Sequence, residues 1–338
     1  MQYRKFGNTD LLVSEIGFGA WAIGGNAMIG SVAIGWGDAD DGESKKAIHR
    51  SLDRGINFFD TADIYGLGHS EELLGALLGK RKDIIIASKV GNVARNEQFV
   101  TDYSKQYIIS GCEASLKRLK RDVIDYYQLH SARVAQLEKK ECMEAMQLLQ
   151  QQGKIRYWGL SLNTFDPEPE TALVMKEFAG NARPDDLVGR GFQLVLNILN
   201  QKALPVMKEA AAKGYGIIAR MPLQFGLLTG KFDDELSFPE NDHRKNRLTK
   251  EVVQSSLEAL RPVWTLCRKY EITKTELALS YILSYPEVST VIPGIRTAAQ
   301  ATSNTTGIIK LEDADIAFIE QLGSTDFIPV MEMIRKLG

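Results

Sequence analysis

The chain is short of several features that would assign it to familiar function classes. It has three cysteines, Cys112, Cys142 and Cys267, and no two of them make a CxxC pair. So sparse and odd a set excludes a disulfide framework and suits a reducing compartment. The four histidines, His49, His69, His130 and His243, are too scattered for a zinc ligand set. Charge of one sign is also missing, since 41 Lys and Arg stand against 43 Asp and Glu, a net charge of −2. Without a basic field, neither nucleic acid nor an anionic membrane is an expected partner. No apolar run approaches the ~18 residues that cross a bilayer. The opening MQYRKFGNTD has no apolar core of a secretory signal. A cytoplasmic location is expected.

Common catalytic motifs are absent too. No G-x-x-x-x-G-K-[ST] loop occurs, which excludes a P-loop NTPase, and Ser161 in GLSLN lacks the second glycine of a hydrolase elbow. GFGAWA, residues 17 to 22, fits G-x-G-x-x-A but runs into AIGGNAMIGSVAIGWG, which cannot be the helix a Rossmann fingerprint requires. Its glycines, Gly19 among them, read instead as places where backbone approaches a ligand at the end of a strand.

What is present is alternation. Apolar runs SEIGFGAW, INFFD, DIIIASK, VIDYYQLH, RYWGLSL, FQLVLNI, YGIIARM and VSTVIPG alternate with stretches of helical period. Among the latter are ESKKAIHRSLDRG, closed by Gly55, and SEELLGALLG, with Ser70 as its expected cap. One helix is expected through about 250 to 270 and another through 274 to 284. Eight strands alternating with helices predict an α/β fold, a single (β/α)8 TIM barrel. Strands covered on both faces explain why the runs are continuously apolar. YRKFGNTDLLVS reads as a hairpin across the barrel bottom. No Pro/Ser-rich linker divides the chain, so residues 1 to 338 are read as one domain.

Four of the strands stop at residues able to hold or move a proton: Asp60 with Tyr65 just beyond, Lys89, His130 and Ser161. Singly, each has an ordinary account: a loop-capping Asp, a solvated Lys, a hydrogen-bonded structural His. In a parallel barrel, however, the ends of strands 2, 3 and 4 are neighbours and share one mouth. A phenol's pKa is about 10. A nearby ammonium should lower it, a carboxylate fixes the ammonium, and an imidazole orients the substrate oxygen. Such a set protonates a developing alkoxide, and the hydride must come from a cofactor.

These segments resemble the aldo-keto reductase family. INFFDTADIYG with SEELLG, then SKV, DYYQLH, GKIRYWGLS, GLLTGK and VIPGIR follow in the family's order from about Tyr3 to about Ile308. The resemblance implies a soluble NADPH-dependent reductase of aldehydes or ketones, with sugar-like carbonyls among the possibilities. It implies Tyr65 as general acid, Lys89 and Asp60 as its tuning pair, and His130 as the orienting partner. It places the nicotinamide against Ser161, Asn163 and Gln193. The pyrophosphate would follow Pro222, Leu223, Gly226 and Lys231, and the adenosine end Gly294, Arg296, Gln300 and Asn304. Arg296, just before a helix expected from Thr297, is the candidate for a 2′-phosphate.

Three departures from the family pattern stand out. Arg220-Met221 replaces an aromatic and its neighbour after strand 7, so Arg220 is read as a planar group that stacks on the nicotinamide, or else as one turned to the rim. Leu196 stands where tyrosine is common, and Leu162 interrupts a Ser-Asn pair. In the loop after strand 1, Trp21, Met28, Ile34 and Trp36 are candidates for one wall of the pocket. His69 reads as a loop residue. His243 in NDHRKNR reads as solvated loop, and Arg244 and Arg247 as able to close over a phosphate unless the charge run is simply a solvated face. Two rival functions remain: a Schiff-base barrel enzyme using Lys89, and a cofactor-binding regulatory module with slow turnover.

Overall fold

The computed structural model describes residues 1–162, 165–177, 189–232 and 238–337. Eight short strands form its centre: β1 (Phe18–Gly19), β2 (Phe58–Asp60), β3 (Ile85–Val90), β4 (Ile124–His130), β5 (Ile155–Ser161), β6 (Gly191–Val195), β7 (Gly216–Arg220) and β8 (Thr290–Ile292). They pair in parallel and in chain order. The ring closes where Ile16 bridges Val291 and Gly19 bridges Gly294. This is the expected TIM barrel. All six residues of β3 are buried, as a strand covered on both faces requires.

Gly19 has a use that its motif did not suggest. A Cβ there would lie 2.9 Å from the Pro293 carbonyl oxygen, so the missing side chain lets β1 approach the end of β8. That contact serves closure of the barrel.

The N-terminal hairpin, Tyr3–Lys5 with Leu12–Ser14, stoppers the bottom. Phe6, Leu11 and Val13 join Phe58, Ile85, Tyr126, Ile218 and Ile292 in a cluster inside the barrel. Phe6 meets Tyr126 edge-on at 4.8 Å. A Cβ at Gly191 or Gly216 would sit 2.6 Å from the Phe6 ring, so β6 and β7 make room for the plug by carrying glycine.

Helices cover the outside. Asp40 caps the helix Asp41–Asp53, accepting from the Glu43 N–H, and Gly55 follows it with φ 85. Ser104 caps Lys105–Leu119 by accepting from the Tyr107 N–H. Ser70 is not a cap. It is the second residue of the helix His69–Leu78, and its hydroxyl donates to the Ala20 carbonyl and pairs with Thr61 Oγ1. The expected helix through 250 to 270 is two, Lys250–Ala259 and Thr265–Tyr270, because Pro262 between them has no N–H to give. Two hairpins at the mouth, Met28–Ile29 with Val32–Ala33 and Asn92–Arg95 with Gln98–Thr101, escaped the sequence reading. The second turns through Asn96 and Glu97, both at positive φ, the backbone of a two-residue hairpin turn.

Candidate active site

Four side chains converge at the C-terminal mouth because β2, β3 and β4 are adjacent. Lys89 is buried, and its Nζ donates to Asp60 Oδ1 at 2.5 Å, to the Thr61 carbonyl at 2.9 Å and to Tyr65 Oη at 3.2 Å. The His130 ring stands edge-on to Tyr65, centroids 6.0 Å apart. Tyr103 holds the end of β4 by donating its hydroxyl to the His130 carbonyl at 2.6 Å.

The electrostatic balance departs from the expectation of a lowered phenol pKa. Burial raises the Tyr65 phenol above its ordinary value, and the Lys89 charge opposes this without reversing it. Burial also works against the Lys89 charge, yet Asp60 and Tyr65 together hold the ammonium above its ordinary value. Burial first, then Lys89 and Arg220, push the His130 imidazole well down. At neutral pH the site therefore holds a neutral phenol, a cationic lysine and a neutral imidazole. A protonated, three-bonded Lys89 is a poor Schiff-base nucleophile.

Gln128 was missed. It is buried on β4, two residues before His130 and so on the same face, and its Nε2 donates to Asp60 Oδ2 at 3.1 Å. Gln193 joins it, donating to the same oxygen at 2.7 Å, and Ser161 Oγ lies 3.3 Å from Gln193 Oε1. Both carboxylate oxygens of Asp60 are thus satisfied. Asn163 lies outside the described residues.

Arg220 ends β7 and turns across the mouth. Its Nη2 donates to the Leu162 carbonyl at 3.0 Å and its Nη1 lies 3.1 Å from Met221 Sδ. Its charge reaches Tyr65, Asp60 and His130. Pro222 and Leu223 continue into a tight loop in which Met221, Gln224, Phe225 and Gly226 all take positive φ. Such a run is strained for the non-glycine members and recurs at ligand-binding loops. A Cβ at Gly226 would strike the Phe232 ring, and Lys231 is exposed.

After β8, Gly294 is exposed and faces open space. Arg296 is half-buried, with Nη1 donating to the Trp36 carbonyl at 3.3 Å. Gln300 Oε1 accepts from the Arg296 and Thr297 N–H groups, so this helix start is capped from within and is weaker as a phosphate seat than its position suggested. Asn304 is buried and its Nδ2 has no partner among the described residues. His130 Nδ1 is likewise without one. Orphaned polar atoms on His130, at the end of β4, and on Asn304, beyond β8, together with an exposed glycine between strand and helix, fit a ligand that carries several polar groups, as a nicotinamide dinucleotide does.

The other wall is aromatic. Trp21 stacks near Tyr65 at 5.8 Å and on His243 at 4.5 Å, and Trp36 meets His243 edge-on at 4.7 Å. His243 is buried, not solvated as its charged neighbours suggested, and burial pushes its imidazole down to about 3. The backbone of Asp242 bridges Trp36, which docks the segment from Phe238 to Leu248 onto the loop after β1. Ile34 packs beside Ile64 and Tyr65, whereas Met28 is exposed. His69 is helical and pairs with Asp41 at 2.9 Å.

The architecture has known counterparts. Residues 15–324 match the profile of the Aldo/keto reductase family. The chain is 32% identical to aldo-keto reductase YhdN of Bacillus subtilis, over 91% of this chain and 89% of that one. It is 29% identical to aldo-keto reductase yakc [NADP(+)] of Schizosaccharomyces pombe, over 94% and 90%. The solved glycerol dehydrogenase AKR11B4 of Gluconobacter oxydans superimposes with a TM-score of 0.76 at 29% identity, covering 95% and 94% of the two chains. The chain belongs to the aldo/keto reductase family, oxidoreductases that act on carbonyl substrates with a nicotinamide cofactor.

Proposed function

We propose that this chain reduces an aldehyde or ketone to the alcohol with NADPH, and that Tyr65 gives the proton. The observation that carries the reading is the bonded line Asp60–Lys89–Tyr65, with His130 across from the phenol. The cofactor supplies hydride to the carbonyl carbon. The residues do the rest. The neutral His130 donates an N–H to the carbonyl oxygen and holds it beside the phenol. Tyr65 passes its proton to that oxygen as negative charge develops there. The phenolate left behind sits 3.2 Å from a fixed ammonium. Lys89 thus acts on the product of proton transfer more than on the resting phenol. Ser161, Gln193 and Asn163 would hold the carboxamide, the loop from Met221 to Lys231 the pyrophosphate, and Gly294, Arg296, Gln300 and Asn304 the adenosine end. The test is a screen of aldehydes, ketones and polyols followed by NADPH absorbance, with NADH in parallel. The names of relatives support both a phosphorylated cofactor and a hydroxylated substrate.

Arg296 is assigned to the 2′-phosphate. A charge-assisted contact of that kind contributes about 1.5–3 kcal/mol. Arg296→Ala should therefore weaken NADPH roughly ten- to hundredfold and leave NADH unchanged. Equal losses for both cofactors would show that Arg296 serves only to hold the Trp36 loop.

Arg220 is assigned to the nicotinamide. A fixed cation repels the oxidised, positively charged ring and is indifferent to the reduced one. Arg220→Tyr should tighten NADP+ relative to NADPH. An unchanged ratio, measured by cofactor fluorescence titration, would make Arg220 a brace to Leu162 and nothing more.

A further inference from the structure

The run AIGGNAMIGSVAIGWG, residues 22 to 37, carries no charged side chain and is rich in glycine. The reaction just described gives most of it no task. Its fold is a loop closed on itself. Met28–Ile29 pairs with Val32–Ala33, the Ile34 N–H donates to the Ala27 carbonyl at 2.9 Å, and Trp21 Nε1 donates to the Ile34 carbonyl at 2.9 Å. The tip rests on the second mouth hairpin, since a Cβ at Gly30 would lie 2.6 Å from the Glu97 carbonyl oxygen.

This loop leans on the turn that carries Tyr65. Gly66, Leu67 and Gly68 take φ of 62, 55 and 103 in succession. A leucine in left-handed backbone is strained and persists only where its surroundings over-determine it. Leu67 is 51% exposed, so its own side chain does not supply the restraint. Inside the turn, the Tyr65 N–H donates to Ala62 at 3.2 Å and the Leu67 N–H to Ile64 at 3.1 Å, both long bonds. The loop after β1 adds what they lack. A Cβ at Gly24 would lie 2.8 Å from the Gly66 nitrogen and 2.9 Å from the Tyr65 carbonyl carbon, and one at Gly66 would strike the Gly24 carbonyl. The two backbones therefore pack directly on each other. Ile29 and Ile34 meet Ala62, Ile64 and Tyr65 in a small apolar cluster apart from the main core. The Trp21 ring lies within 19° of parallel to the phenol ring.

We propose that the loop after β1 positions the general acid. Gly24 and Ile29 are positioning residues that act through Tyr65, fixing where the phenol stands relative to Lys89 and the substrate oxygen. The role rests on the reading of Tyr65 as proton donor. The contact it protects is sensitive, because 3.2 Å from Lys89 Nζ to the phenol is already the long limit of an N–H···O bond. The role also accounts for the missing charge, since an ionised side chain this close would move the phenol's pKa.

Gly24→Ala is the test. Gly24 is not at positive φ, so alanine suits its backbone and adds only a methyl against the Tyr65–Gly66 peptide. The variant should lower kcat for carbonyl reduction roughly ten- to hundredfold and leave NADPH affinity unchanged. Ile29→Ala removes support instead of adding bulk. It should also lower kcat, and the pH at which alcohol oxidation rises should move up as the phenolate loses its ammonium. Ile29→Leu keeps the volume and should keep most of the rate. NMR of ring-labelled tyrosines reads the phenol without turnover. The Tyr65 resonance, identified by its loss in Tyr65→Phe, should move in Gly24→Ala. A folded Gly24→Ala with the kcat and the Tyr65 resonance of the unmodified protein overturns the role. If Gly24→Ala does not fold, the Ile29 pair decides: equal rates for Ile29→Ala and Ile29→Leu, or a loss confined to NADPH affinity, overturns it. An unmodified protein that reduces no carbonyl, but whose Tyr65 resonance still moves in Gly24→Ala, would overturn the reductase reading and leave the positioning of the phenol standing.

Discussion

Replacing Tyr65 with phenylalanine should lower kcat by roughly 10²- to 10⁴-fold, the usual contribution of a positioned general acid. Cofactor affinity should hardly change, because the ring stays and only the hydroxyl beside Lys89 and the substrate oxygen is lost. His130 cannot take over. Its imidazole is held neutral by burial, Lys89 and Arg220, so near pH 7 it has no proton of suitable acidity to give. The pH profile carries the sign. The phenol of Tyr65 lies above its ordinary value, so the protonated form needed for reduction is present through the neutral range. Reduction by the unmodified protein should be nearly flat from pH 6 to about 9 and fall only as the phenol ionises. Alcohol oxidation needs the phenolate and should rise with pH over the same interval. A reduction rate that falls through about pH 6.5 would point to an imidazolium acid.

Lys89→Met should cost both turnover and stability. Asp60 is 2% exposed, and its charge would lose the ammonium at 2.5 Å while two glutamine amides remain. Breaking a buried pair from one side typically costs about 3–5 kcal/mol, and denaturant titration should find a loss of that order. The same substitution removes the charge that receives the phenolate, so kcat should drop with it. Adding Asp60→Asn should restore much of the stability, since no buried charge is then left alone, but none of the activity. A double variant that recovers both would reduce Lys89 to a structural ion-pair partner.

The barrel was legible because each strand is a continuous apolar run and each helix has its own period. The four converging side chains were legible because Asp60, Lys89 and His130 lie at the ends of adjacent strands and Tyr65 follows in the loop after the first of them. Gln128 was within reach by the same parity that places His130, but a glutamine inside YYQLH carries no chemistry until Asp60 is seen to need a donor. The part Gly19 plays in closure was out of reach because its neighbour is the far end of the chain: only closure of β1 on β8 shows what a Cβ would strike. His243 was misread for a related reason. The charged NDHRKNR predicts a solvated loop, yet Trp21 and Trp36, remote in sequence, bury its ring. The direction of the Tyr65 shift was out of reach as well, because burial and Asp60 raise it while Lys89 and Arg220 lower it, and burial is a property of the fold.

Single-turnover mixing tests the central claim most directly. Excess enzyme loaded with NADPH is mixed with an aldehyde panel, and absorbance reports loss of the reduced ring. The account predicts at least one carbonyl that oxidises the bound NADPH completely, at a rate no slower than steady-state turnover, and no such phase in Tyr65→Phe loaded with the same cofactor. A folded, NADPH-bound enzyme that leaves its cofactor reduced against every carbonyl, or a Tyr65→Phe variant that oxidises it equally fast, would contradict it.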